Sequence, residues 1–314
     1  MDRLDGKLLA ELIGDSRQSF TRLAKRVGAS REVAAYRVGR LKKEGVIAGF
    51  ITEVDMERLC FVGTAVFVAV KAARSREFRE FIERQDFVSW VAELSGVWSF
   101  AFSIWGKSNK ELDERFLIIY RKFKGDILDH RMTLHKRNTF FYEKYFQAQP
   151  PAVRPGRRME YEMDGKDRAI LKELAKDARI GLAELAKKAG LTAPAVGERV
   201  RRLRQAGYIL KHSVFVDVSK LGLFQYSVFV TSKGIDERGR LLAYLARHPR
   251  VNYVAEYVGD PFLEFGLFVE DPYQLRGILQ GIEGAFPENR VIEVSLYQKE
   301  LVSVSPPGCV FEKA

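Results

Sequence analysis

Residues 29–44 read ASREVAAYRVGRLKKE, and residues 191–205 repeat the pattern as LTAPAVGERVRRLRQ. The matches continue on both sides of these stretches at one constant offset, because Gly28 corresponds to Gly190 (190 − 28 = 162) and Asp55 to Asp217 (217 − 55 = 162). Self-similarity at a fixed distance is typical of a duplicated structural unit. We therefore predict two copies of one fold, with each functional feature present twice.

Three helices are predicted at the start of each repeat. In the first repeat, apolar residues recur at helical spacing at Leu4, Leu8 and Leu12, and they do so again after a break at residues 14–19. Gly28 is placed to end the second helix, and Ser30 is placed to cap the third by accepting a hydrogen bond from a free amide. Three helices with a tight turn between the last two predict a helix-turn-helix of the three-helix or winged type.

The third helix of each repeat is predicted to have an apolar inner stripe and a polar outer face. The inner stripe consists of Ala34, Val38 and Leu41, with the counterparts Val196, Val200 and Leu203. An outer face with arginines at its ends and small or polar residues between them suits the major groove of DNA, where guanidinium groups reach phosphates or guanine edges. The expected DNA-binding residues are Ser30, Arg31, Glu32, Tyr36, Arg37, Arg40, Lys43, Thr192, Glu198, Arg199, Arg201 and Arg202.

The positive charge of the chain is concentrated on these two modules. The net charge is +11, and residues 1–48 contribute 11 − 6 = +5 while residues 163–212 contribute 12 − 6 = +6. A charge that served solubility alone would be spread along the chain. Its confinement to two helical modules predicts a polyanion partner, double-stranded DNA.

Strands and helices in the order βαββαβ are predicted to follow each helical module. A connecting strand comes first, and the apolar segments 61–71 and 223–231 are then typical of strands buried on both faces. The remaining predicted elements are helices at 75–84 and 236–247, paired strands around turns at Gly96 and Gly259, helices at 110–123 and 272–282, and last strands at 127–135 and 291–298. This order is the ferredoxin-like pattern, so the predicted fold class is α+β.

The expected domain boundaries follow from these elements. Residues 1–48 and 163–211 are assigned to the helix-turn-helix domains, 49–147 and 212–303 to the ferredoxin-like domains, and 304–314 to a C-terminal tail. Residues 148–162, which contain three of the ten prolines, are assigned to a stiff linker.

The chain resembles the Lrp/AsnC family, the feast/famine transcriptional regulators, fused in tandem. The matching motifs are LDGKLL, GDSR, LAKRVGAS and RVGRLKKEGVI in the first repeat, and KDAR, LAKKAGLT and RVRRLRQAGYI in the second. The resemblance implies a ligand-sensing (RAM-type) sheet domain, dimers formed by sheets packed face to face, and DNA binding. Here the two halves would form that dimer within one chain, as an intrachain pseudo-dimer. Family members often build higher homo-oligomers from dimers, and a tandem fusion either preserves or blocks that assembly.

The resemblance also implies an amino-acid-like effector near an acidic glycine turn. Gly96, Gly259 and Asp260 are the candidate effector-binding residues, although the first repeat has no acid at this turn and the second has Phe262 where a second acid is usual. Because a bound ammonium needs a carboxylate or carbonyl groups, this departure makes an effector less expected than DNA binding.

Other functions find less support in the sequence. Cys60 and Cys309 show no metal-binding spacing, and the thiols are expected to be reduced in a cytoplasmic protein. The sequence also contains no Gly-rich phosphate loop or nucleophile elbow, so no catalytic, metal or cofactor site is predicted. The start of the chain lacks an apolar signal segment, and no apolar run reaches the roughly 20 residues that span a membrane. Two alternatives stay open: a sirohaem-decarboxylase-like tetrapyrrole enzyme, which shares the architecture, and a non-specific architectural DNA-binding protein.

Overall fold

The computed structural model describes residues 1–146, 159–234 and 236–311. Most of the expected linker, residues 148–158, lies outside the described residues, and the expected tail is described as far as residue 311. None of the described helices is both long enough and apolar enough to cross a membrane.

Each repeat contains the predicted order of elements. The first comprises α1 (Arg3–Gly14), α2 (Phe20–Val27), α3 (Arg31–Lys43), β1 (Ile47–Val54), β2 (Val62–Val70), α4 (Ser75–Ile82), β3 (Val88–Ser95), β4 (Phe100–Gly106), α5 (Asn109–Lys122) and β5 (Ile127–Phe140). The second comprises α6 (Gly165–Lys176), α7 (Leu182–Ala189), α8 (Ala193–Gln205), β6 (Ile209–Val216), β7 (Phe224–Ser232), α9 (Asp236–Arg247), β8 (Val251–Tyr257), β9 (Leu263–Val269), α10 (Tyr273–Ala285) and β10 (Asn289–Ser303). The α+β class and the tandem ferredoxin-like pattern are confirmed.

Local sequence signals fix the ends of the helices. Ser30 caps α3 by accepting a hydrogen bond from the Val33 amide at 3.2 Å, and Thr192 caps α8 in the same way through Ala195 at 3.4 Å. Gly28 ends α2 in the left-handed region with φ 73°, which a residue without a Cβ adopts at little cost. The helix ends predicted at Gly28 and Ser30 are therefore confirmed.

The sheets of the two repeats join into one closed eight-stranded barrel in the order β10-β3-β4-β2-β5-β8-β9-β7. The last strands run past the expected ends at residues 135 and 298. The added length of β5 pairs with β8, from His135 opposite Tyr257 to Phe140 opposite Tyr253, and β10 pairs with β3 in the same manner. Inside the barrel the faces of the two sheets pack on each other, with the Phe67 and Phe229 ring centroids 4.9 Å apart.

A separate two-stranded sheet of β1 and β6 joins the two helix-turn-helix modules. We call α1–α3 the first head and α6–α8 the second head. Ile51 lies opposite Ser213, and these are equivalent residues of the two repeats because 213 − 51 = 162. Antiparallel strands that meet at equivalent residues are related by a local two-fold axis, so the heads are arranged symmetrically about this point.

Each head packs on the connecting strand of the other repeat. The core of the first head, which contains Leu8 and Leu12, includes Val214 and Val216 of β6. The core of the second head continues into Val54 of β1. The expected domain boundaries at 48/49 and 211/212 fall within β1 and β6, because these strands serve both the heads and the joint between them.

Candidate nucleic-acid interface

The inner stripe of each third helix is buried and its outer face is open to solvent. Ala34, Val38 and Leu41 are each less than 5% exposed, whereas Tyr36 is 71% exposed on the opposite side of α3. A groove-contacting helix needs an accessible face of this kind. Among the expected DNA-binding residues, Ser30, Arg31, Glu32, Tyr36, Lys43, Thr192, Arg201 and Arg202 are exposed, and Arg37, Arg40, Glu198 and Arg199 are half-buried.

Arg37 and Arg40 are held by acids at the start of α1. The Arg40 Nη2 atom donates to Oδ2 of Asp5 at 2.6 Å, and Arg37 Nη1 donates to Oδ1 of Asp5 at 3.0 Å. Asp5 is only 1% exposed, and a buried carboxylate needs such partners. Arg37 also donates to Asp2 at 2.5 Å, and that hydrogen bond lowers the pKa of Asp2 to about 2. Both arginines therefore hold α3 against α1, and both also contribute positive charge to the head.

In the second head, the equivalent buried acid Asp167 has a different set of hydrogen-bond partners. Arg199 donates to Asp167 at 2.9 Å, as Arg37 does to Asp5. The other carboxylate oxygen of Asp167 accepts from the Tyr161 hydroxyl at 2.6 Å instead of from an arginine. Burial and this hydrogen bond to the Asp167 carboxylate raise the pKa of Tyr161 to about 12. The tyrosine thus replaces Arg40, and Arg202, the counterpart of Arg40, is left on the outer face.

Arg202 and Arg201 share Glu198 on the outer face of α8. Arg201 binds Glu198 through two nitrogens, at 2.8 Å from Nε and 2.7 Å from Nη2, and Arg202 Nε lies 2.9 Å from Glu198 Oε1. The hydrogen bond from Arg201, followed by that from Arg202, lowers the pKa of Glu198 to about 2. Glu198 is therefore a carboxylate at neutral pH, and the two guanidinium groups are pre-oriented on one turn of helix.

A reciprocal pair of arginines locks the heads together. Arg17 Nη1 donates to the carbonyl groups of Ala178 and Ile180 at 2.6 and 3.0 Å, and Arg179 Nη1 donates to the Ser16 carbonyl at 2.8 Å. Neither arginine is among the expected DNA-binding residues, although their exact match between the repeats is a sequence signal of a shared role.

The buried His212 side chain lies between the heads in the same joint. Its Nδ1 atom is 3.1 Å from the Thr52 hydroxyl oxygen, and that hydroxyl donates its hydrogen to the Leu174 carbonyl at 2.9 Å. Burial, followed by the charges of Arg17 and Arg204, lowers the pKa of His212 to about 3. His212 is therefore neutral at physiological pH and is part of the packing of the joint.

The candidate effector residues lie at two turns of the barrel. Gly96 and Gly259 both have positive φ, at 128° and 102°. Asp260 Oδ1 accepts a hydrogen bond from the Thr231 hydroxyl at 2.5 Å. A cavity of about 300 Å³ lies elsewhere, between the 3₁₀ helix Val218–Leu221 and β10, where burial raises the pKa of the lining residue Glu300 to about 7. The residues that line this cavity do not include Gly96, Gly259 or Asp260.

Comparison with known proteins matches each head to one family model. The AsnC-type helix-turn-helix domain matches residues 1–42 and 163–204. The regulator LrpA of Pyrococcus horikoshii is 39% identical over 104 residues, which is 33% of this chain and 69% of LrpA. The regulator LrpC of Bacillus subtilis is 35% identical over 99 residues, 31% of this chain and 68% of LrpC.

A solved structure resembles the whole chain in fold. The siroheme decarboxylase NirDL matches 96% of this chain and 93% of its own length, with a TM-score of 0.62 and 14% sequence identity. At this identity the match describes the architecture alone. The two matched heads, together with the relatives LrpA and LrpC, show the family: the chain belongs to the Lrp/AsnC family of helix-turn-helix transcriptional regulators, with two copies of the DNA-binding module in one polypeptide.

Proposed function

We propose that the chain is a sequence-specific, DNA-binding transcriptional regulator that acts as an intrachain pseudo-dimer. The observation that carries the proposal is the joint of β1 and β6, where equivalent residues Ile51 and Ser213 face each other. Two heads related by a two-fold axis suit two half-sites on one duplex, because dimeric helix-turn-helix proteins place their recognition helices about one helical turn apart. One chain would then supply both recognition helices.

Charge supports the same proposal. Residues 1–48 and 163–212 contribute +5 and +6, which together equal the whole net charge of +11. On the second head, Lys187 and Lys188 lie in the last turn of α7, and Arg202 and Arg204 lie in the last turn of α8. Positively charged groups of this kind neutralise phosphates and release counterions on binding.

Footprinting on a DNA site selected from random duplexes tests the proposal. We expect protection of two half-sites separated by about one helical turn or a multiple of it. The two half-sites should differ, because α3 and α8 present different outer faces. A palindromic consensus bound by two chains would contradict the pseudo-dimer, and uniform protection of any duplex would favour an architectural DNA-binding protein.

The proposal includes modulation by a small amino-acid-like effector at the turns of Gly96 and Gly259. Asp260 offers a carboxylate at the second turn, and its hydrogen bond to Thr231 orients that group. A thermal-shift screen with free amino acids tests this part. We expect an amino acid to stabilise the wild type and to lose that effect in Asp260→Ala, whereas an equal shift in both proteins would place the effector elsewhere.

The fold match to a siroheme decarboxylase supplies a second candidate, a tetrapyrrole enzyme. In that case two basic residues of β5 would be candidates to bind the tetrapyrrole: His135, which stacks on Trp105 at 5.9 Å, and Arg131, which lies over Trp98 at 5.1 Å. The middle strands β3, β4, β8 and β9 contain no histidine or arginine. Titration of the protein with an iron tetrapyrrole, followed by visible absorbance, distinguishes the candidates: a saturable spectral change abolished by His135→Ala would favour the enzyme.

A further inference from the structure

The two recognition helices differ at equivalent positions of their outer faces. Tyr36 of α3 corresponds to Glu198 of α8, and Gly39 corresponds to Arg201, since 198 − 36 and 201 − 39 both equal 162. The first head therefore offers an exposed aromatic ring where the second offers a carboxylate that holds two guanidinium groups. This difference lies on the solvent faces, where it does not affect the buried stripe of either helix.

The equivalent arginines Arg40 and Arg202 add to the difference between the two outer faces. Arg40 is 35% exposed and is bound to the buried Asp5, so it fixes the first head. Arg202 is 49% exposed and is released from that role, because Tyr161 binds Asp167 in its place. The first head thus keeps its arginine close to α1, and the second head presents it beside Arg201.

The geometry around Glu198 orients these groups before DNA arrives. Arg201 binds Glu198 through Nε and Nη2 and Gln205 through Nη1 at 2.8 Å. Arg202 uses Nε for Glu198, which leaves its two terminal nitrogens outside that ion pair. A guanidinium fork with free terminal nitrogens matches O6 and N7 of guanine, so this geometry selects a G·C pair.

We propose that Glu198, Arg201 and Arg202 are specificity-determining residues that give the second head a G·C-containing half-site. The first head has Tyr36 and Gly39 at the corresponding places and reads its half-site by apolar contact, which suits the methyl group of thymine. Glu198 acts as a positioning residue for the arginines. This inference rests on the proposed function, because it assumes that the outer faces of α3 and α8 enter the major groove.

Selection of bound duplexes from a random pool tests the inference with four proteins. These are the wild type, Arg202→Ala, the control Arg168→Ala, which removes an exposed arginine from α6, and the exchange Tyr36→Glu with Gly39→Arg. The exchange suits the fold, because a Cβ at Gly39 meets nothing within 4 Å and Tyr36 is 71% exposed. Thermal melting confirms that each protein is folded.

We expect the wild type to select two unlike half-sites, one of them with an invariant G·C pair. Arg202→Ala should reduce discrimination at that pair by about tenfold or more and leave the other half-site unchanged. Arg168→Ala should select the wild-type site, and the exchange should introduce a G·C preference into the first head's half-site. Identical wild-type half-sites, an unaltered preference in Arg202→Ala, or a folded exchange protein with the wild-type site would overturn the inference. Failure of the wild type to select any site would instead overturn the proposed function.

Discussion

The arginines of the recognition helices divide into those that hold the fold and those that face solvent. Arg37 and Arg199 bind equivalent buried acids, Asp5 and Asp167, at 3.0 and 2.9 Å. Arg40 joins the first group and Arg202 the second, although the two occupy the same position in their repeats. Sequence equivalence alone therefore does not assign the role of a surface arginine, because the role depends on whether another side chain already binds the buried acid.

Replacing Arg40 should destabilise the protein, and replacing Arg202 should not. Arg40→Ala leaves one oxygen of the buried Asp5 with a weaker set of partners, and we expect a loss of about 1–2 kcal/mol, less than for a fully buried pair because Arg40 is 35% exposed. Arg202→Ala changes an exposed ion pair and should stay within about 0.5 kcal/mol of the wild type. Urea denaturation followed by circular dichroism measures both. Equal losses in the two variants would contradict the assigned roles.

The sequence predicted the outward direction of these side chains but not their partners. Helical periodicity places Arg40 and Arg202 at the same angle, and both were expected to contact DNA. The deciding groups are Asp5, which lies 35 residues before Arg40, and Tyr161, which lies just before the second head. Contacts across such distances in the chain depend on how α1 and α6 pack, which local patterns do not report.

At the scale of elements, β1 and β6 determine how the heads are placed. Their pairing, the reciprocal contacts of Arg17 and Arg179, and the buried Thr52–His212 contact all lie in one joint. The sequence predicted both strands as connectors between domains. It did not predict that they pair with each other, because their apolar patterns are equally consistent with extension of each barrel sheet.

Loosening this joint should relax the spacing that the protein requires between half-sites. In Arg17→Ala with Arg179→Ala, three hydrogen bonds between the heads are lost, so each head gains freedom relative to the other. When about half a helical turn of DNA is inserted between the half-sites, we expect the affinity of the wild type to fall at least tenfold. The affinity of the double variant for the same DNA should fall clearly less. Gel-shift titration measures this. The same spacing penalty in both proteins would mean that the arginines do not hold the heads.

The joint should also make stability fall in acid. The pKa of His212 is lowered to about 3, against about 6.5 for an unfolded histidine, so the unfolded chain binds a proton in this interval and the folded chain does not. This contribution is complete above about pH 6.5 and is lost as the pH falls towards 3, by up to about 1.4 kcal/mol per pH unit. In His212→Gln the free energy of unfolding should depend less on pH over this range. Parallel curves of unfolding free energy against pH for the variant and the wild type would show that His212 is not responsible. The pKa of His135 is also lowered and changes stability in the same direction, but His135 is present in both proteins, so its contribution cancels in the comparison.

At the scale of the whole molecule, the closed barrel makes the two repeats one body. The order of strands and helices in each repeat could be predicted from the sequence, because β2 is nearly continuous in apolar residues and β7, its counterpart at the constant offset, contains the apolar run VFV. The closure of the barrel could not be predicted from the sequence, because the C-terminal ends of β5 and β10 are rich in polar residues and resemble loops. They form strands because the edges of β8 and β3 in the other repeat supply their hydrogen-bond partners.

The distribution of charge predicts a strong dependence of DNA affinity on salt. Each phosphate neutralised by a lysine or arginine adds about 0.9 to the slope of log affinity against log salt. Lys43→Ala removes an exposed cation from the last turn of α3, and we expect its slope to be smaller by about one unit with the base preference unchanged. Fluorescence anisotropy at several salt concentrations measures the slope. An unchanged slope would remove Lys43 from the phosphate contacts.

Competition binding tests the central claim most directly. The full chain is bound to a labelled duplex that carries its selected site, and unlabelled duplexes with the same site or with scrambled sequence compete at one fixed salt concentration. We predict that one chain occupies both half-sites and that the specific duplex competes at least about 10³-fold better than the scrambled one. Equal competition by the two duplexes, or no binding to either at low salt, would contradict the account.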